Sequence, residues 1–149
     1  MDIDVVEVEG KPAAVIRKRL TLAEIPAGVM PLVDRVWQFL RGGGADEHGH
    51  NVWIYHHTDD GHVDVEVGVE VRDGFEEKEG VVRTVTPSGR AAHAVFHGAY
   101  GALPRVHQEL IAWCADHGHT RAGSNWEVYG DPSPDPEKCR TDVYHLLKD

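Results

Sequence analysis

The stretch Val29–Leu40, VMPLVDRVWQFL, sets the fold because it has the pattern of a one-sided helix and is repeated later in the chain. Its apolar residues recur at every third or fourth position, the spacing that puts side chains on one helix face. A shift of 74 positions maps it onto Leu103–Cys114, LPRVHQELIAWC, where one apolar position has become His107. Pro31 and Pro104 lie near the start of each stretch, where a missing N–H is harmless. Two amphipathic helices are therefore predicted.

The same shift extends to runs with the character of β-strands. Asn51–Tyr55, NVWIY, maps onto Asn125–Tyr129, NWEVY, with the asparagine and the tyrosine in both copies. Valines alternate with mostly polar residues over Val63–Val71, which predicts a further strand with Thr141–Leu147 as its counterpart. Each copy thus has the order strand, helix, strand, strand. We predict an α+β fold, a curved antiparallel sheet with two helices on one face and a ligand cleft on the other.

The repeat also predicts the domain organisation. At 149 residues the chain is long enough for one core, so we expect a single domain over residues 1–149. It would consist of two pseudo-symmetric halves, about 1–73 and 81–149. Ile3–Val8 would be the leading strand of the first half, and Val81–Thr86 that of the second.

Composition limits the classes of partner. The chain has 15 basic and 25 acidic residues, a net charge of −10, so its field repels phosphate backbones and no direct nucleic-acid binding is expected. The N-terminus lacks a signal peptide, and no apolar run reaches the roughly 20 residues of a membrane span. The two cysteines are far apart and not in a C-x-x-C pair. We predict a cytoplasmic protein that does not bind membranes.

Three segments resemble the GyrI-like small-molecule-binding domains, which also form the effector-binding part of multidrug-sensing transcription regulators. They are Gly89–Gly118, Asn125–Pro132 and Thr141–Leu147. The family pattern is G-x-Y, a helix with a late tryptophan, a glycine, E-x-Y-x-D-P and T-D-[IV]. It is matched at Gly98, Tyr100, Trp113, Gly118, Glu127, Tyr129, Asp131, Pro132, Thr141 and Asp142. We expect the stand-alone type, because the sequence starts directly with this domain.

The resemblance implies a duplicated strand-helix-strand-strand fold with a ligand cleft between the halves, on the sheet face away from the helices. It also implies that the glutamate of E-x-Y, here Glu127, lies in the cleft and pairs with lipophilic cations. Among stand-alone members, some are similar to gyrase-inhibitor proteins and others hydrolyse strained cyclopropane-containing toxins. The expected partner is therefore a hydrophobic small molecule, including cations, which the protein would sense or sequester.

Strand alternation assigns the side chains around Glu127 to two faces. Trp126 and Val128 suit the face packed under the helices, which leaves Glu127 and Tyr129 for the opposite, concave face. Extended through the repeat and the family pattern, the predicted ligand-binding residues are Glu127, Tyr129, Trp53, Tyr55, Tyr100 and Trp113. Tyr100 and Trp113 can also be interpreted as residues that only pack in the core. Glu127 can also be interpreted as a residue at a solvated strand edge.

The predicted site is compatible with two kinds of chemistry. A carboxylate among aromatic rings attracts flat organic cations through its charge and through cation–π contacts. Partial burial also raises the pKa of a carboxyl group, which suits a general acid or base, with a tyrosine donating to developing negative charge. The catalytic residues would then be Glu127 and Tyr129. A third hypothesis is a protein-interaction role, such as inhibition of a topoisomerase.

Eleven histidines raise the question of a metal site. The suggestive groups are His48 with His50, His56 and His57 with His62, and His117 with His119. None has a known zinc-ligand spacing, so we predict solvated loop histidines, no metal and no cofactor. His107 is expected in the core or at its rim. His93 and His97 share one strand face, and we consider them for the cleft.

Overall fold

A computed structural model describes residues 1–45, 48–72 and 74–149 of the chain. In chain order its main elements are β1 (Ile3–Val8), β2 (Pro12–Thr21), α1 (Ile25–Gly28), α2 (Met30–Arg41), β3 (His48–His57), β4 (His62–Val71), β5 (Val82–Val85), β6 (Gly89–His97), α3 (Leu103–Asp116), β7 (Arg121–Tyr129) and β8 (Arg140–Leu147). Three short 3-10 turns lie at Leu22–Glu24, Tyr100–Ala102 and Pro136–Lys138.

The chain divides into two compact units. We call Gly10–Thr86 the N-terminal unit, and Met1–Glu9 with Pro87–Asp149 the C-terminal unit. The strands of the N-terminal unit are ordered β3-β4-β2-β5, and those of the C-terminal unit β1-β6-β8-β7, with antiparallel pairing throughout both. The predicted α+β class and the order strand, helix, strand, strand in both copies are confirmed.

The N-terminal unit is built as the periodicity predicts. Helix α2 has Pro31 in its first turn and is followed by Gly43, whose φ of 84° suits glycine. The valines of β4 from Val63 to Val71 alternate toward α2 and are buried against it. The buried residues of α2 are Leu32, Val33, Val36, Phe39 and Leu40. One continuous apolar core therefore joins this helix to its sheet.

The C-terminal unit has a narrower helix stripe than predicted. Its buried helix residues are Leu103, Val106, Leu110 and Cys114, which pack on Ala92, Ala94, Val143 and Leu147. Ile111, part of the predicted apolar face, is 37% exposed. It lies one helical turn after His107, and both residues flank the buried stripe instead of belonging to it. The inclusion of Ile111 in the core was wrong.

The leading strands are exchanged relative to the predicted halves. Strand β1 pairs with β6, from Ile3 opposite Ala94 to Val8 opposite Gly89, and therefore belongs to the C-terminal unit. Strand β5 pairs with β2 in the N-terminal unit. Ile3 and Val5 pack against the core under α3, which holds β1 in place. The boundaries at about 1–73 and 81–149 are thus wrong, while a single domain over 1–149 stays a prediction.

Among the described residues, no helix is both long enough and apolar enough to cross a bilayer.

Candidate functional site

Strand β7 carries Glu127 on the face that looks toward α3. In the pairing with β8, Asn125 is opposite His145, Glu127 is opposite Val143, and Tyr129 is opposite Thr141. Val143 is a buried member of the core under α3, so this row of side chains is helix-facing. The carboxylate Oε2 of Glu127 lies 3.4 Å from Nε2 of His107 on α3. The predicted location of Glu127 and Tyr129 on the face away from the helices is therefore wrong.

An aromatic stack on the other face explains the error. Trp126 stacks on Tyr144 with ring centroids 4.9 Å apart, and Tyr144 stacks on His93 at 4.6 Å. These three residues are cross-strand neighbours on β7, β8 and β6. Trp126 is 3% exposed, and its ring packs in this stack instead of in the core under α3. His93, considered for the cleft, consequently lies on the opposite face from Glu127.

A buried polar network surrounds the Glu127 carboxylate. His107 reaches Glu127 with Nε2, and its Nδ1 lies 2.8 Å from Nε2 of His145. The side-chain nitrogen Nδ2 of Asn125 is 3.3 Å from the same Nδ1. Glu127 and His145 are 4% and 3% exposed. Three elements, α3, β7 and β8, therefore place one imidazole against the carboxylate, and a second imidazole and an amide against the first.

Two other carboxylates on the strands are held much more firmly. Glu66 accepts from Nε of Arg17 and pairs with Nε2 of His56, both at 2.9 Å. Burial alone would raise the pKa of Glu66, but hydrogen bonds from His56, Arg17 and Thr84 outweigh it and hold the pKa at about 2. Asp142 is likewise bound by His93 and Arg140, and these hydrogen bonds overcome burial to lower its pKa.

Glu127 lacks such a partner. Its side chain is 6% exposed, against 11% for Glu66 and 17% for Asp142. Within the described residues, His107 is its one ion-pair partner, and no arginine or lysine approaches it within 4 Å. The most buried of the three carboxylates is thus the one that is least compensated by the protein.

The Glu66 network gives a testable acid dependence. Because the pKa of Glu66 falls from 4.5 to about 2 on folding, its contribution is present above pH 4.5 and is lost as the pH falls toward 2. Glu66→Gln is expected to lower the free energy of unfolding by roughly 2–3 kcal/mol at neutral pH, and by less than about half of that near pH 3. Urea denaturation at both pH values measures it. Glu76→Gln, an exposed control in the same unit, should change little, and a pH-independent loss for Glu66→Gln would contradict the prediction.

Two predicted tyrosines meet at Tyr129, two residues after Glu127 on the same face of β7. Tyr129 packs against the core under α3, and the ring of Tyr100 contacts it edge to face, with centroids 5.6 Å apart and planes at 79°. Tyr100 is 45% exposed. Partial desolvation and a hydrogen bond with Cys139 raise the pKa of Tyr100, so its hydroxyl group stays protonated. Tyr100 therefore extends the aromatic surface of Tyr129 to solvent.

Trp113 lies near the C-terminal end of α3 and is partly buried against the core under that helix, which agrees with its interpretation as a packing residue. Its ring stacks on His117 with centroids 4.2 Å apart, and on His119 at 5.5 Å. It follows His107 by six residues, which points it to a different side of the helix. Its predicted role at the ligand site therefore has no support from contact with Glu127.

The N-terminal unit repeats part of the arrangement. Trp53 and Tyr55 pack against the core on the side of α2. Asn51, the counterpart of Asn125, accepts a hydrogen bond from Nε1 of Trp37 on α2 at 2.8 Å. An asparagine thus ties strand to helix in both units. That Trp53 and Tyr55 line the same cleft as Glu127 stays a prediction.

The histidine groups do not assemble a metal site in the described part of the chain. No three side chains among its His, Cys, Asp and Glu residues come together as metal ligands would. The side chain of His48, a member of one predicted group, lies outside the described residues.

Sequence reasoning missed the network around Glu127. His107 was expected only as a core or rim histidine, and neither Asn125 nor His145 was considered for the site. One signal was present, because His107 replaces Val33 at the matching position of the other helix. A polar residue that interrupts one copy of a repeated apolar stripe indicates a polar partner beneath it.

Comparison with known proteins gives the context of this site. A family model described as a GyrI-like small-molecule-binding domain matches residues 1–148. The structure is similar to the EcmrR C-terminal domain, with a TM-score of 0.78, 16% identity, and coverage of 99% of this chain and 98% of that one. In an EcmrR–DNA complex the match covers 57% of the EcmrR chain. No curated protein matches the sequence.

Two further structures bear on the choice of chemistry. SAV2435 bound to tetraphenylphosphonium has a TM-score of 0.75 and 13% identity, with 99% of this chain and 94% of that chain covered. A hydrolase encoded by lin2189 of Listeria innocua has a TM-score of 0.60 and 8% identity, with coverage of 98% and 91%. At these identities the similarity establishes a shared fold.

Proposed function

The chain belongs to the GyrI-like small-molecule-binding family, and from this premise we propose that it binds hydrophobic organic cations beside Glu127, to sense or sequester drugs or toxins. The observation that carries the proposal is the buried, poorly compensated carboxylate of Glu127. Among the other strand carboxylates of similar burial, Glu66 and Asp142 have their own arginines, and Glu70 lies 4.0 Å from His50. Glu127 has His107 alone among the described residues.

Electrostatics favours a cation at this carboxylate. A charge in a low-dielectric site is costly unless it is paired, and a ligand cation about 5 Å away would contribute roughly 3 kcal/mol at an effective dielectric constant of 20. A delocalised organic cation loses little hydration on entering such a site, whereas a small metal ion loses much. The site therefore favours large, soft cations over Na⁺ or Mg²⁺.

The tyrosines add to the same preference. Tyr129 follows Glu127 on one strand face, and Tyr100 extends that aromatic surface toward solvent. Each ring that meets a cation contributes about 0.5–2 kcal/mol. Because Tyr100 is exposed, it also offers a first contact for an incoming ligand. SAV2435, a structural neighbour with bound tetraphenylphosphonium, supports the choice of that cation as a probe.

Charge selectivity tests this function directly. We expect tetraphenylphosphonium to bind at least about tenfold more tightly than triphenylphosphine oxide, a neutral compound of similar chemistry. Isothermal titration calorimetry at low ionic strength measures both affinities. Equal affinity for the two compounds would remove the argument from charge and leave an unselective hydrophobic site.

A hydrolase acting on strained small-molecule electrophiles is the second candidate. It is favoured by the aligned His145, His107 and Glu127, which could take a proton from water, and by a structural neighbour described as a hydrolase. Water would add its hydroxyl group to one carbon of a strained C–C bond and a proton to the other, without a redox change. Tyr129 would donate a hydrogen bond to the developing negative charge.

Turnover separates the two candidates. Mass spectrometry of a cyclopropane-bearing electrophile incubated with the protein would show a product heavier by one water if the enzyme hypothesis holds. Glu127→Gln would then abolish product formation. Saturable binding without any product across a panel of such compounds would leave the binding function.

A further inference from the structure

We propose that His107 determines how strongly Glu127 attracts a cation, through a protonation state that Asn125 and His145 accommodate. Neutral His107 leaves the Glu127 charge available to a ligand, and protonated His107 neutralises it. This inference rests on the proposed function, because it assigns the residue that controls the same carboxylate.

The hydrogen-bond partners of His107 locate its proton. Nδ1 lies 3.3 Å from Nδ2 of Asn125, a group that can only donate, so Nδ1 is an acceptor in this arrangement. It also lies 2.8 Å from Nε2 of His145, which then donates to it. With the Asn125 amide in this orientation, the single proton of a neutral His107 ring is on Nε2, the atom that faces Glu127 at 3.4 Å.

A second arrangement suits the protonated ring. Protonated His107 carries a hydrogen on Nδ1, which would oppose the Nδ2 hydrogens of Asn125. Rotating the Asn125 amide by half a turn replaces Nδ2 with Oδ1, an acceptor that is buried without a hydrogen-bond partner among the described residues. His107 would then donate from Nδ1 to Oδ1 of Asn125 and pair with Glu127 through Nε2, with His145 carrying its own proton on Nδ1 so that its Nε2 is an acceptor. The same asparagine therefore serves both protonation states.

The surroundings of His107 leave Glu127 as its acidic partner. From β7 the helix-facing titratable groups are Glu127 and Tyr129, with Arg121 farther along, beside Cys114 at the other end of α3. From β8 the group is His145. The helix-facing residues of β1 and β6 that pack under α3 are apolar, namely Ile3, Val5, Ala92, Ala94 and Phe96. The charged pair Glu7 and Arg90 follows on the same face, beyond these residues. A positive charge on His107 would therefore pair with Glu127, the same carboxylate that a ligand cation would bind.

Protonated His107 and a ligand cation compete for the charge of Glu127, so the effect of pH on ligand affinity has a definite direction. Histidine is the side chain whose charge changes between about pH 5 and 8. When His107 gives up its proton, Glu127 loses its charged partner, and the affinity for a ligand cation increases. One released proton limits the slope to about tenfold per pH unit. A neutral ligand gains nothing from this change.

Titrations of tetraphenylphosphonium from about pH 5.5 to about pH 8.5 test the inference. The wild-type affinity is expected to rise at least about tenfold across this range, whereas His107→Gln should bind with a nearly flat profile. His117→Gln, at the exposed end of the same helix, is the matched control and should keep the wild-type profile. A flat wild-type profile, or an undiminished pH dependence in His107→Gln, would overturn the role of His107.

The two proposals fail in different ways. If wild-type protein binds no tetraphenylphosphonium at any pH, or binds the neutral phosphine oxide equally well, the proposed function fails and this inference with it. Charge-selective binding with a flat pH profile overturns the inference alone. A ligand-independent measurement completes the test: long-range ¹H–¹⁵N NMR near pH 8.5 should show His107 as the Nε2–H tautomer. An Nδ1–H tautomer would overturn the assignment even if His107→Gln fails to fold.

Discussion

Glu127→Gln is expected to weaken tetraphenylphosphonium binding about 100-fold, which corresponds to about 2.7 kcal/mol. Glutamine keeps the size and hydrogen-bonding capacity of the side chain but removes the charge that is 4% exposed on β7. The expected loss is close to the roughly 3 kcal/mol of attraction between unit charges about 5 Å apart at an effective dielectric constant of 20. Calorimetry near pH 8, toward the upper end of the range used for the His107 titrations, measures the loss.

Glu109→Gln is the matched control for this substitution. Glu109 lies on the exposed side of α3 in the same unit, so its replacement changes the net charge equally without touching the site. Its affinity for tetraphenylphosphonium should stay within about twofold of wild type. Affinity for the neutral phosphine oxide should be unchanged in both variants. If Glu127→Gln binds the cation within about threefold of wild type, the carboxylate is not the recognition element.

The stability of Glu127→Gln distinguishes lost recognition from lost folding. Removing a buried carboxylate relieves the cost of keeping an incompletely paired charge out of water. The melting temperature of the variant should therefore equal or exceed that of the wild type at the same pH. A folded protein that no longer binds the cation would place the effect in the ligand contact.

The fold could be predicted because its signals are local in sequence. The stripe in α2, its copy in α3 and the alternating valines of β4 each specify one element and its buried face. The pairing of the leading strands could not be predicted in this way. Alternation in Ile3–Val8 is equally compatible with either unit, and only the packing of Ile3 and Val5 under α3 assigns β1 to the C-terminal unit.

For the candidate site, the sequence pattern predicts which residues share a strand face with Glu127, but not which residues of other elements surround it. Alternation correctly puts Glu127 and Tyr129 on one face of β7. It does not say which face, and the apolar character of Trp126 suggested the helix side. Trp126 stacks on Tyr144 on the face away from α3. The hydrophobicity of Trp126 therefore did not show which face of β7 packs against the helix. The His107 contact joins residues far apart in sequence, and no local pattern encodes it.

The second large effect concerns the stability of the unit that carries the site. Leu110→Ala is expected to lower the free energy of unfolding by about 3–4 kcal/mol, since deleting a fully buried leucine costs both its transfer free energy and the cavity that remains. Leu110 is 0% exposed and lies between Val106 and Cys114 on the buried stripe. Urea denaturation followed by circular dichroism measures the loss, with the slope checked for two-state behaviour.

Ile111, the residue after Leu110, provides the control for this substitution. Ile111→Ala removes a side chain of the same size from the same helix, but Ile111 is 37% exposed, so its loss is expected to cost less than about 1 kcal/mol. Equal losses at the two positions would mean that α3 buries the wide apolar face of the repeat. If α3 were rotated so that Ile111 was buried in the core, His107 would move with it. The contact between His107 and Glu127 would then not form as described. The stability of two neighbouring residues thus tests the helix orientation on which the binding argument depends.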